Sequence, residues 1–180
     1  MRYLKKYSEL FEFLNTPQPV DWKQKEEGIV GTFTCNDHLY HIYLWEPYKN
    51  TYKAYMEHPN IWEIAFSIIK KEEDKEIDSY TTTHFNQGRI EILSTVIEAF
   101  GYLIKLKNPN AIIFTAEDWD TGRLKTYKDL MVLASNKYGF NHYEITGMKG
   151  IAYILYKEET DKRNVADLIG LDSSFIFKKF

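Results

Sequence analysis

Apolar positions recur along this chain with two different periods, and the alternation between them predicts its elements. From Arg2 to Leu14, residues Leu4, Tyr7, Phe11 and Leu14 share one face at spacings of three and four, which predicts an amphipathic helix. The two prolines of "NTPQPVDW" end it. "GIVGTFTC" and "LYHIYLWE" read as strands rich in β-branched and aromatic residues, and the polar "NDH" between them predicts a hairpin. The connection "PYKNTYKAYMEHPN" is polar and aromatic, with at most a helical turn. "IWEIAFSIIK", Ile61 to Lys70, places Trp62, Ile64, Phe66 and Ile68 on one face and stays fairly apolar on the other, as an inner strand does. The charged run "KKEEDKEIDSY" reads as a solvated hairpin turn or a disordered tip.

From Gly88 the period becomes helical, with a stripe of Ile90, Leu93, Ile97, Phe100 and Ile104 that ends before "KNPN". "NAIIFTAE" is a short continuous apolar strand of the kind covered on both faces. A helix from about Thr121 to Lys137 buries Leu124, Tyr127, Met131, Ala134 and Tyr138, and "HYEIT" and "GIAYILYK" form two last strands. The order is helix, three strands, helix, strand, helix, two strands. It predicts an α/β (α+β) fold with a mixed, mostly antiparallel sheet, one right-handed β-α-β crossover and flanking helices. Residues 1–180 read as one domain, with 158–180 as a C-terminal extension. In that tail Phe175, Phe177 and Phe180 nearly alternate, which suits an added strand or a homodimer contact.

Composition narrows the classes. A chain of 180 residues buries about two thirds of its unfolded surface and needs no disulfide or metal to hold it. Its charge is 23 minus 26, or -3, with a pI near 6.0, so nucleic acid is not the expected partner. The single cysteine, Cys35, excludes an internal disulfide and points to a reducing compartment. The lysines and glutamate of "MRYLKKYSELFEFL" exclude a signal peptide or a membrane span there, so the cytoplasm is the expected location. Aromatic residues make up 16%, with 14 Tyr and 11 Phe, and most of these rings are expected in packing.

Three pieces carry a family likeness: "EILSTVIEAFGYLI", "IIFTAE" and "TGRLKTYKDL", all within Arg89 to Phe140. Together with the element order they resemble the GNAT N-acetyltransferase fold, and in particular GNAT-like proteins of bacteriophage genomes. The resemblance implies acetyl-CoA as cofactor, held with its pyrophosphate on backbone N–H groups of a glycine-containing turn at a helix N-terminus. The matching turn here is "HFNQGRIE", which assigns Gln87, Gly88 and Arg89 to the cofactor, with Arg123 as a second phosphate partner. In many members of the family a tyrosine hydroxyl protonates the leaving thiolate, and Tyr127 stands at the matching place.

The residues themselves leave alternatives beside these roles. Tyr127 lies on the apolar stripe of its helix, so it is either a catalytic acid or a core tyrosine with a satisfied hydroxyl. Glu63 interrupts the apolar run "IWEIAF"; a lone acid there is either a general base or a residue on the open side of the sheet. His84 is a second candidate base, while His38 and His41 read as turn and sheet residues. The histidines have no metal-ligand spacing, and no metal is expected. Two functions follow from this reading. One is an acyltransferase moving an acyl group from acyl-CoA to a small-molecule or protein amine. The other is a GNAT-like accessory protein of a phage or mobile element that binds a host protein, in the host cytoplasm.

Overall fold

The computed structural model describes residues 16–26, 28–46, 60–72, 75–79, 89–116, 121–147, 150–157 and 176–178. The expected first helix, the connection of residues 47–59 and most of the C-terminal extension lie outside them. Strands β1 (Asp21–Gln24), β2 (Gly28–Cys35), β3 (His38–Trp45), β4 (Ile61–Glu72) and β5 (Lys75–Ser79) precede helix α1 (Arg89–Lys107). Strand β6 (Ala111–Ala116), helix α2 (Thr121–Tyr138) and strands β7 (Asn141–Gly147), β8 (Gly150–Tyr156) and β9 (Ile176–Lys178) follow. All nine strands join one sheet in the order β1-β2-β3-β4-β6-β8-β7-β9, with β5 also paired to β4. The fold is therefore mixed α and β, with a mostly antiparallel open sheet. Among the described residues its one parallel pair is β4 with β6, and α1 lies between them in the chain.

The first hairpin shows how local chemistry fixes register. Asn36 and Asp37 both adopt positive φ, 46° and 62°, the left-handed pair that a tight two-residue hairpin turn requires. Cys35 then pairs with His38, and the ladder runs regularly to Gly28 opposite Trp45. Gly28 is needed at that far end, because a Cβ there would lie 2.3 Å from the Leu44 carbonyl oxygen.

One face of the sheet carries both helices. Its core joins Phe33, Tyr40, Ile42, Trp62, Ile64, Phe66, Phe114 and Leu155 to Ile92, Val96, Phe100 and Leu103 of α1 and to Tyr127, Leu130 and Met131 of α2. Thr95 of α1 ties down the segment before β1, accepting a hydrogen bond from the Gln18 backbone N–H at 2.8 Å. Trp22 of β1 stacks on Tyr102 with centroids 4.3 Å apart. Both helix ends are closed by left-handed residues: Asn108 after α1 and Gly139 after α2.

The structure corrects four expectations. The run "KKEEDKEIDSY" is more than a turn or tip, since β4 continues to Glu72 and β5 pairs with it from Glu72↔Lys75 to Ile68↔Ser79, so most of the run is strand. Charged side chains are tolerated there because a strand needs only its backbone to pair. The buried face of α1 is wider than the expected stripe and ends short of it: Leu93, Ile97 and Phe100 are buried as expected, but Ile90 is 43% exposed and Ile104 half-buried, while Ile92, Val96 and Leu103 are fully buried. This helix is apolar over more than one face, so periodicity alone does not select the buried one. Tyr138 is half-buried at the end of α2 rather than part of its core stripe. Strand β1 adds to the predicted set, whereas β9 is the added strand that the alternation in the C-terminal extension suits, paired beside β7.

Candidate functional site

The parallel ladder between β4 and β6 is short. It consists of Ile61↔Ala111, Trp62↔Ile112 and Glu63↔Ile113. Just before it, the Asn110 backbone N–H donates to the Asn60 carbonyl at 2.9 Å, holding the two strands together at their start. Beyond Glu63 they part. On that same edge β4 next meets β5 at Ile68. Among the described residues, neither ladder includes 64–67 of β4, and 114–116 of β6 are in register with β8 alone. The sheet thus divides at the one parallel pair among the described strands.

Tyr127 stands at this division. Its ring is 2% exposed and meets Phe66 of β4 edge-on at 5.8 Å and Phe114 of β6 at 4.9 Å with a 44° tilt. One helix residue therefore touches both diverging strands. Thr126, Leu130 and Met131 beside it are also buried, so the helix is fixed against the sheet and the ring has little freedom.

Glu63 occupies the last rung of the parallel ladder, but on the other face of the sheet. Alternation along β4 sends Trp62, Ile64 and Phe66 to the helices and Glu63 and Ala65 away from them. Across the strand Glu63 pairs with Trp45, whose indole N–H donates to Glu63 Oε2 at 3.1 Å. Tyr43, two residues before Trp45, lies 5.8 Å from that indole, and its hydroxyl is 2.9 Å from His41 Nδ1. His41, Tyr43, Trp45 and Glu63 form one half-buried row.

The remaining predicted residues stand differently. Arg123 is in the first turn of α2, one turn before Tyr127, and Arg89 opens α1, but their side chains are outside the described set. Gln87, Gly88 and His84 lie outside the described residues altogether. His38 is exposed beside the hairpin turn. Lys128 of α2, the residue after Tyr127, lies 3.8 Å from Glu144 of β7. Among the described residues, no helix is long and apolar enough to cross a membrane.

Sequence reasoning did not single out Trp45, Tyr43, Phe66 or Phe114 for the site. The spacing His41, Tyr43, Trp45 does put all three on one strand face, and that was the available signal. A serine and histidine pair, Ser135 Oγ with His142 Nδ1 at 2.9 Å, resembles a nucleophile and base but serves structure. Ser135 donates its hydroxyl hydrogen to the Phe140 carbonyl, which closes the turn after α2. No protein-family model matches the chain, and neither does any of the curated proteins compared with it.

Proposed function

We propose that the chain is a GNAT-like N-acyltransferase that moves an acyl group from acyl-CoA to an amine. The observation that carries this reading is the division of the sheet after Glu63↔Ile113, with the Tyr127 ring against both departing strands. An extended chain carrying amide groups can enter such an opening as a further strand would, pairing with backbone on one side or both. The pantetheine arm of coenzyme A is a chain of this kind, so the residues of the opening fit it. Residues 64–67 and 114–116 would hold that arm, and Arg89, Arg123 and the Gln87 and Gly88 turn would meet its phosphates. Acyl-CoA would supply the acyl group as a thioester, activated toward an amine.

The chain's own residues supply proton transfer. Glu63, at the mouth of the opening, takes the proton that the amine loses, and the Trp45 N–H keeps its carboxylate oriented. The Tyr127 hydroxyl returns a proton on the helix-covered face. Base and acid are thus separated by the thickness of the sheet, and reacting groups meet both only within the gap between β4 and β6.

A second reading is favoured by the burial of Tyr127. A ring 2% exposed between two phenylalanines is also what a core tyrosine looks like. On that reading the chain keeps a GNAT-like scaffold and serves a phage or mobile element by binding a host protein. Calorimetry of the purified chain with acetyl-CoA and with coenzyme A separates the two. Saturable binding with a matching rise in Tm supports the enzyme; no heat at millimolar ligand turns the assignment to the scaffold.

A further inference from the structure

β4 has two successive neighbours along one of its edges. β3 holds the other edge, through ladder pairs that run from Trp45↔Glu63 to Leu39↔Ile69. Glu63 is paired with Trp45 and also with Ile113 of β6, and Ile69 is paired with Leu39 and also with Asp78 of β5. A strand has two edges for pairing, so β5 and β6 lie along the same one. β6 leaves it after Glu63 and β5 takes it from Ile68, with residues 64–67 as the interval between the two ladders. β5 therefore stands in the place along β4 that β6 gives up.

An extended ligand in the opening needs that same place. A chain that pairs with β4 there uses the edge that β5 shares, and an interval of four residues gives it only ~13 Å of strand. The ladder pairs Lys70↔Ile77, Lys71↔Glu76 and Glu72↔Lys75 lie past Ile69, where the β3 ladder ends, so they form a two-stranded ribbon beyond the three-stranded part. Ile68↔Ser79 and Ile69↔Asp78 alone lie within it. Among the described residues β5 has β4 as its one neighbour, and its sequence, KEIDS, carries a single apolar residue, Ile77. Two-stranded ribbons are marginal in water, and a segment that buries little apolar area opens locally at small cost in free energy.

We propose that β5 is a displaceable strap: it closes the edge of β4 and peels from Ile68 and Ile69 to admit an extended, amide-bearing ligand. The identity of that ligand as the pantetheine arm of coenzyme A rests on the acyl-transfer reading; the strap itself does not.

The test uses the full chain with its one native cysteine removed, Cys35→Ala, and the pair Lys70→Cys and Ile77→Cys added. These two positions are register partners, about 4.5–5.5 Å apart between Cα atoms in an antiparallel ladder and so within disulfide reach. Reduced and oxidised forms of the one variant differ in whether β5 can leave. Without ligand, hydrogen exchange of the reduced form should be about tenfold faster or more in residues 75–79 than in β3, at a rate that low urea leaves unchanged. Oxidation should slow exchange by about tenfold or more in 75–79 and in 64–67 as well. Protection of 75–79 equal to that of β3, or a disulfide that leaves 64–67 unaffected, overturns the strap. Calorimetry with coenzyme A then tests what enters. Binding about tenfold weaker or more in the oxidised form, restored by dithiothreitol, is expected, because the locked chain cannot reach its binding-competent state. Equal binding by the two forms also overturns the strap. A disulfide effect on exchange with no coenzyme A binding by either form upholds the strap and removes the acyl-transfer reading.

Discussion

The ring of Tyr127 on α2 lies 4.9 Å from that of Phe114 on β6, just past the last rung that joins β6 to β4. Helix and strand are one packing unit there, so the hydroxyl and the ring can be tested apart. Tyr127→Phe should change stability by less than about 1 kcal/mol, because the three-ring contact survives. It should lower acyl transfer by about 10²-fold or more if the hydroxyl is the acid. Tyr127→Ala should cost about 3–5 kcal/mol in urea unfolding. Full turnover by the phenylalanine variant would end the catalytic assignment.

Asn60 is the latch that starts the parallel ladder. Its Nδ2 donates to the carbonyls of Lys107 and Asn108 at 2.9 and 3.1 Å, and its Oδ1 accepts from the Trp62 indole at 2.8 Å. Its φ is 47°. Asn60→Ala should cost about 1–3 kcal/mol from the lost bonds. Asn60→Gly should cost about 1 kcal/mol less than alanine, since glycine adopts that φ without strain. Equal losses in chemical denaturation would show that the backbone conformation contributes nothing.

The first hairpin and the helical crossover were legible from sequence, whereas the site was only partly so. Asn36 and Asp37 announce a two-residue turn, and a two-residue turn sets the whole β2–β3 register. No such turn sets β3 against β4, since residues 46–60 separate them, so the pairing of Trp45 with Glu63 had no local signal. Tyr127 could be placed on its helix face from periodicity, but its contact with Phe66 and Phe114 depends on where a ladder stops. The end of a ladder is a tertiary property. The charges of β5 concealed a strand for a different reason: composition reports side-chain preference, whereas the pairing of β5 with β4 is made by the backbone.

Gly101 on α1 lets α2 approach. A Cβ there would stand 2.6 Å from the Tyr138 hydroxyl oxygen and 3.0 Å from its ring carbon, and that hydroxyl donates to the Ile97 carbonyl at 2.9 Å. Gly101→Ala should therefore destabilise the wild-type background despite alanine's better helix propensity. In a Tyr138→Ala background the same change should become stabilising by about 1 kcal/mol. A double-mutant cycle with no coupling would contradict this packing.

Alkaline pH should loosen the fold. Burial, reinforced by the charge of Glu144, pushes the Tyr153 phenol up to about 12, from an ordinary value of 10.0. Burial and Glu98 push Tyr138 in the same direction. Between these limits the unfolded chain loses the Tyr153 proton first, so it binds fewer protons than the native state and stability falls as pH rises. The stability present below pH 10.0 should decline by about 1.4 kcal/mol per pH unit for each such tyrosine until the native phenol also ionises. Urea midpoints at pH 9, 10 and 11 should show the slope, and Tyr153→Phe should reduce it; a flat profile would mean that the phenol titrates normally.

The most direct measurement is hydrogen exchange of the backbone, followed by mass spectrometry, with and without saturating acetyl-CoA. The account predicts added protection concentrated in residues 64–67 of β4 and 114–116 of β6, where the sheet divides, with little change in the β2–β3 hairpin. Exchange unchanged in those two segments, or protection confined to other parts of the chain, would contradict it.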